Sequence, residues 1–447
     1  MNKIIKGKCV DISSEGKGVV KLDKDVIFVD SLLLEEEAEI EITYSRAGVS
    51  YGKIKKLLSF SKDRISPLCP IATACGGCCF QNATYQYELR YKQNKVKEAL
   101  KRIGGLSVEV NPVIGMSEPY FYRNKIQVPF GKERRNIIYG FYQTNTHRII
   151  PFKKCYIESK ESEPILIEIA SLMEKYHLDP YNEDIGSGLI RHVLIRTSFT
   201  TSEIMVVLVT NGEKFPNRGD FIKDLKRNCP QITTIIQNIN SRKTNVILGE
   251  KERLLFGKGF INDSILGLKF RISSKSFFQV NHIQTEKLYS KAIELAKLGE
   301  NDTVLDAYAG VATIGLLCAP HCKEVLSVEL EKAAVINARN NALKNHIFNI
   351  RIEEADCTKF INQYKPQVDV VIMDPPRKGS TPEFLNAILD IKPKRIVYIS
   401  CEPSTLARDL KLLTKKYKVE QVQPVDMFPR TYHVETVVLM SRVGARQ

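Results

Sequence analysis

The stretch Arg395-Ile-Val-Tyr-Ile-Ser-Cys-Glu-Pro-Ser-Thr-Leu-Ala-Arg-Asp-Leu410 reads as a strand that stops abruptly and turns into a helix. Ile396 to Ile399 is β-branched and apolar, as a buried strand requires. Pro403 then falls where a helix accepts proline, in its first turn, with Ser404, Thr405 and Asp409 around it. Cys401 is therefore predicted at the carboxyl end of a strand, beside a helix N-terminus. Open α/β sheets place their ligands there, and helix amides lower a thiol pKa. Alone, the stretch serves equally well for a nucleophile or for a small buried residue. Its surroundings decide.

Working outward, residues 271–447 alternate strand and helix. A helix over Gln284–Lys297 precedes a strand ending in Asp306, and the next closes on Glu329. Strands before Asp356 and Asp374 follow, then the Cys401 strand and a last strand, Thr436–Met440. This pattern predicts a doubly wound, Rossmann-like parallel sheet, with one polar group at each of five strand ends. A small-residue loop after the first strand admits a nucleoside cofactor, and an acid on the next strand can hold ribose hydroxyls. The loop reads Ala309-Gly-Val-Ala312 rather than the dinucleotide fingerprint, which suits S-adenosylmethionine better than NAD. Asp374-Pro-Pro-Arg377 adds an extended loop stiffened by its prolines.

Toward the N-terminus, residues 1–60 contain five short strand patterns, Ile4–Ile12, Gly18–Leu22, Val26–Phe28, Ala38–Tyr44 and Gly52–Leu57, punctuated by glycines and the Asp23-Lys-Asp25 turn. Such a segment predicts a small closed barrel of the OB type. Residues 61–270 read as an α+β domain. It opens with Cys69-x5-Cys75-x2-Cys78-Cys79, three soft thiolates in a glycine-bearing loop that need a fourth ligand, for which Cys155 is the best remote candidate. Iron–sulfur and zinc both fit that spacing. A helix from Tyr85 to Ile103 follows, with Arg90, Lys92, Lys95, Lys97, Lys101 and Arg102 interleaved with Tyr85, Tyr87 and Tyr91. That mixture suits phosphate contact and base stacking, or simply a solvated face, and the helix has a second option of packing with the C-terminal domain.

The 447 residues allow roughly two to four domains. The net charge of +15 is concentrated: residues 61–160 hold 17 Lys/Arg against 7 Asp/Glu, the footprint of a polyanionic partner. No apolar run approaches the ~18 residues a bilayer span needs, and Met1–Lys8 has no apolar signal core, so a cytoplasmic protein is expected. In that compartment eleven cysteines argue for metal or catalysis rather than disulfides. Cys9, Cys229, Cys318, Cys322 and Cys357 are scattered through apolar contexts and are expected to pack.

Taken together, these motifs resemble those of the S-adenosylmethionine-dependent RNA uracil-C5 methyltransferases, most of all the ribosomal-RNA branch that carries an iron–sulfur cluster. The resemblance runs through Cys69/Cys75/Cys78 with Cys155, Tyr122-Arg-Asn-Lys125, Phe277-Phe-Gln-Val-Asn281, Leu305-Asp-Ala-Tyr308, Asp374-Pro-Pro-Arg377, Ser400-Cys401-x-Pro403 and His433-Val-Glu435. It implies a TRAM barrel over 1–60, a cluster-bearing RNA-binding domain over 61–270 and a methyltransferase domain over 271–447. It also implies Cys401 as nucleophile, Glu435 as base, and Gln279, Tyr308, Glu329, Asp356 and Asp374 around S-adenosylmethionine. A 4Fe-4S cluster on Cys69, Cys75, Cys78 and Cys155, RNA contact at Arg123, Asn124 and Lys125, a monomer and a 23S ribosomal-RNA substrate complete the expectation. Two positions depart from the usual pattern: Ala309 replaces a common cysteine and Ala312 a loop glycine. Two other readings remain, a transfer-RNA enzyme and a non-catalytic RNA-binding assembly factor. A binding factor has no reason to bring Cys401 and Glu435 into one pocket.

Overall fold

The computed structural model describes residues 3–22, 25–143, 146–243 and 245–444. Strands Ile4–Ile12, Gly18–Leu22, Asp25–Val29, Glu37–Arg46 and Val49–Leu57 close into a barrel around Val20, Val29 and Ile40. Asp23 and Lys24 of the predicted turn, and Met1 and Asn2, lie outside the described residues. Closure leaves no strand edge unpaired. Gly52 permits it: a Cβ there would sit 2.4 Å from a methyl of Ile40. The barrel is fastened by a fully buried carboxylate, Glu36, which accepts from the Leu33 and Ser61 amides and pairs with Arg64.

The central domain is a seven-stranded sheet with helices Ser162–Lys175 and Arg218–Asn228 on one face. Strands Ile190–Thr197 and Ile204–Thr210 are buried on both faces, the first even at Arg191, His192 and Arg196. One meets those helices. The other, through Leu194, Met205, Val207 and Ile236, shares a continuous core with the C-terminal domain. Hairpin strands Ile261–Ile265 and Leu268–Ile272 contribute Ile261, Ile265, Phe270 and Ile272 to that same core.

The C-terminal sheet contains β1 (Thr303–Ala307), β2 (Glu324–Glu329), β3 (Ile350–Glu354), β4 (Val370–Met373), β5 (Arg395–Ser400), β6 (Tyr417–Val425) and β7 (Glu435–Arg442), in the order β3-β2-β1-β4-β5-β7-β6. β1 to β5 are parallel. β7 runs antiparallel to both of its neighbours, so the sheet ends in a reversed hairpin. Helices His282–Ala296, Thr313–Cys318 and Lys332–Lys344 cover one face, and Cys357–Tyr364, Pro382–Ile391 and Pro403–Leu413 the other. Cys9, Cys229, Cys318, Cys322 and Cys357 are buried, as packing residues.

The basic helix, Tyr85–Ala99 capped by Thr84, is not a free face. Val96 and Leu100 join the core beneath the second helix layer. Its three tyrosines bind other segments: the Tyr85 hydroxyl donates to Asp426, Tyr87 accepts from the Leu34 amide, and Tyr91 donates to the Ser13 carbonyl. Lys92 is fully buried between Glu88 and Asp426, 2.6 Å from each. The helix is a strut joining barrel, cysteine loop and catalytic sheet, the packing alternative rather than a stacking face. Among the described residues no helix is long and apolar enough to cross a membrane.

Candidate active site

β5 and β7 bring the two predicted catalytic groups together. In their antiparallel register Ser400 opposes Thr436, the residues just before Cys401 and just after Glu435, and the Glu435 charge acts on the Cys401 thiol. Asp374 leaves the adjacent strand β4 at the same end, where β4 pairs with β5. Arg377, three residues on and exposed, acts electrostatically on both Cys401 and Glu435. It belongs to the Asp374-Pro-Pro-Arg377 motif, but nothing local in the sequence marks its charge as part of the site.

The electrostatics are those of a crowded acidic pocket. Burial, then Asp374, pushes the Glu435 carboxyl up to about 8, with Arg377 opposing. Burial, then Asp306, raises Asp374 to about 7. The Cys401 thiol is pushed up to about 12, by burial first and then by Glu435 and Asp374. The helix N-terminus was expected to lower it. Desolvation and two carboxylates outweigh those amides, and Arg377 with the residue's own amide acts the other way.

The sheet order reverses at β1 and β4, which opens a crevice between the loops that follow them. Glu329, ending β2, accepts from the Gly310 amide at 2.8 Å and so fixes the small-residue loop. Tyr308 adopts a left-handed φ of 62° and its hydroxyl bonds Ser380 at 2.8 Å. Ala312, in the glycine's place, has φ 59°. The loop keeps a glycine-type conformation at a cost of roughly 1 kcal/mol. Asp356 caps helix Cys357–Tyr364 by accepting from the Lys359 amide, and its charge reaches Tyr308. Gln279, buried, bonds the Tyr289 hydroxyl, and Tyr289 also feels Asp374 and Glu435. Tyr308, Glu329, Asp356 and Asp374 thus lie at or just beyond the carboxyl ends of β1 to β4. Asp306 is different. Its carboxylate accepts from the Gly315 amide and from Ser327, holding the helix that follows the loop.

Cys69, Cys75, Cys78 and Cys155 line a single cavity of about 230 Å3, with Arg123 and Glu158 at its wall. Among the described residues no three His, Cys, Asp or Glu side chains are drawn close enough to hold one metal ion. Arg123 pairs with Glu158 at 3.0 Å. Asn124 holds the segment before helix His282–Ala296, donating through its side chain to the Gln279 carbonyl and through its amide to the Val280 carbonyl. Burial, then Arg196 and Arg123, pushes the half-buried Lys125 down to about 8. A groove of about 1360 Å3 runs between barrel and strut helix, past Lys8, Ser13, Arg90, Lys95 and Arg102, to Glu402 beside Cys401.

Comparison with known proteins agrees with this geometry. The model of the family described as tRNA (Uracil-5-)-methyltransferase matches residues 84–443. An uncharacterized RNA methyltransferase of Bacillus cereus is 43% identical over 97% of this chain and 95% of its own length. One from Clostridium tetani is 42% identical over 98% and 96%. Among solved structures, a Pyrococcus abyssi tRNA (uracil-54, C5)-methyltransferase in complex with S-adenosyl-L-homocysteine superposes with a TM-score of 0.79. It is 27% identical and covers 98% of this chain and all of that one. The chain is an RNA methyltransferase of the tRNA (uracil-5-)-methyltransferase family.

Proposed function

We propose that this protein methylates C5 of a specific uridine in 23S ribosomal RNA through a covalent bond from Cys401 to C6 of the base. The observation that carries the reading is the β5–β7 register, which brings a thiol and a buried carboxylate to one end of the sheet. C5 of uracil is too weak a nucleophile to be alkylated unaided. Once the thiol proton has passed to solvent, the Cys401 thiolate adds at C6, which breaks the C5–C6 double bond and pushes its electron pair toward C5. Bound S-adenosylmethionine supplies the methyl group on a sulfonium centre, and Gln279, Tyr308, Glu329, Asp356 and Asp374 would hold it in the crevice. Glu435 then takes the proton from C5. The C–H electron pair restores the double bond, the C6–S bond breaks, and Cys401 leaves as thiolate. Arg377 favours that thiolate, both when it attacks and when it departs.

The target atom is inaccessible in a stacked helix, so the uridine must be splayed from a loop or flipped. The groove leading to Glu402 would take the flanking strand along Lys8, Lys62, Arg90, Lys95 and Arg102, which stand among as many acidic side chains; Arg123, Asn124 and Lys125 lie outside its lining. The ribosomal target is supported by the resemblance of the cysteine and barrel motifs to that branch. The Pyrococcus likeness favours transfer RNA as the second reading. Mapping 5-methyluridine in total RNA from cells with and without the protein separates them. Loss of one or more 5-methyluridines from 23S RNA is expected, and loss from transfer RNA alone would transfer the assignment.

For the cysteine cavity we propose a 4Fe-4S cluster on Cys69, Cys75, Cys78 and Cys155. A zinc ion with Zn–S bonds of about 2.3 Å needs its four thiolates gathered tightly. A cavity of about 230 Å3 lined by all four suits the larger centre better. Protein purified without air is expected to be brown and to contain about four irons per chain, with Cys155→Ser losing most of them and melting lower. Stoichiometric zinc without iron would leave a structural zinc site instead.

A further inference from the structure

Glu435 begins β7, and the chain reaches it through residues 426–434, a long connection between β6 and β7. A hairpin loop of that length does not by itself fix the first residue of the strand it enters. Here nearly every turn of the loop is held from outside the catalytic domain. Asp426 meets the buried Lys92 at 2.6 Å and accepts from the Tyr85 hydroxyl at 2.7 Å. The Pro429 carbonyl accepts from the Tyr122 hydroxyl at 2.9 Å, and the Tyr432 carbonyl from Lys95 at 3.0 Å.

Arg430 is the centre of this arrangement. It is 3% exposed and sits at φ 70°, a left-handed conformation that a non-glycine residue keeps only where its surroundings over-determine it. Its carbonyl accepts from the amides of Cys79 at 2.9 Å and Phe80 at 3.2 Å. Its amide donates to Glu88 at 2.8 Å. Its guanidinium donates to the carbonyls of Phe80 and Ala83, at 3.4 and 3.1 Å, and lies over the Tyr120 ring with 4.6 Å to the centroid. Backbone and side chain both grip the segment that follows Cys78.

We infer that Arg430 is a positioning residue through which the cysteine segment sets the place of Glu435. Cys401 depends on this link less, because it follows a strand paired by β4 and β7, whereas Glu435 is the first residue of β7, held by Val425 of β6 and entered directly from this loop. Loosening Arg430 therefore slows proton removal from C5 more than it slows addition at C6. The inference rests on Glu435 being the base.

The test uses the full-length protein, S-adenosylmethionine and total RNA from cells lacking the protein, read on a denaturing gel for covalent protein–RNA adduct. Arg430→Ala is expected to raise the adduct fraction about tenfold over wild type while turnover falls by a similar factor, within the roughly hundredfold that a misplacement near 1 Å can cost. Binding of S-adenosylmethionine is expected to stay within about threefold of wild type, since Arg430 does not reach the crevice residues. Arg430→Lys, which retains a cation at the two carbonyls, should fall between. If Arg430→Ala does not fold, Arg430→Lys decides: adduct above the wild-type level supports the inference and none overturns it. Turnover lost without extra adduct shows a merely structural arginine and also overturns it. Glu435→Gln runs beside both. Absence of adduct there removes the base assignment itself, whereas adduct in Glu435→Gln but not in the Arg430 variants removes the positioning role alone.

Discussion

Cys401→Ala is expected to abolish methyl transfer, lowering turnover on the order of 10^4-fold or more, because without addition at C6 nothing makes C5 nucleophilic. No neighbouring thiol can stand in. The other thiol at these strand ends, Cys357, is buried in the core beneath the second helix layer, where its sulfur accepts from the Tyr308 amide and its thiol is itself raised to about 12. S-adenosylmethionine binding should be nearly unchanged, since Cys401 leaves β5 on the far side of β4 from the Gly310 loop after β1. Incorporation of labelled methyl groups into RNA measures the loss and calorimetry the binding. Turnover within tenfold of wild type would remove Cys401 as nucleophile.

Glu435→Gln is expected to trap the methylated covalent adduct, because addition and methyl transfer proceed while the C5 proton has no acceptor. A slow band on denaturing gels should require both Cys401 and S-adenosylmethionine. The pH dependence follows from the raised carboxyl. With Glu435 held up to about 8, most of it is protonated at neutral pH. Wild-type product release should therefore rise with pH and level off above about 8, and the glutamine variant should lose that dependence. Stability moves the other way. The folded-state value lies above the ordinary 4.5, so the stability linked to this group is full below about 4.5 and is lost as pH rises through about 8. Glutamine carries no such penalty. Glu435→Gln should melt higher than wild type above pH 5. Normal release of methylated RNA by this variant would point to another base.

Much of this molecule is legible in its sequence because the relevant chemistry is local. Apolar period and a first-turn proline place Cys401 at a strand end, whatever the rest of the fold does. Three cysteines within ten residues, with glycines between them, must come near one another. Five barrel strands are marked by their own turns.

What the sequence does not carry is the identity of partners far along the chain. β6, Tyr417–Val425, alternates Lys, Glu and Gln and nearly ends on a proline, so it has little strand signal of its own. Without β6 the reversal of β7 is invisible, and that reversal is what brings Glu435 to the Cys401 end of the sheet. The strut helix has the lysines and tyrosines of an RNA-binding face. Lys92 is buried only because Asp426 lies across from it, and Tyr91 is spoken for only because the barrel returns Ser13 to its hydroxyl. Arg123 and Asn124 similarly face Glu158 and the Gln279 carbonyl rather than standing open. A side chain states which bonds it can make. Only the tertiary structure decides which it does make, since the compensating charge or carbonyl is brought up by a distant part of the chain, and burial without it would cost more than the fold can supply.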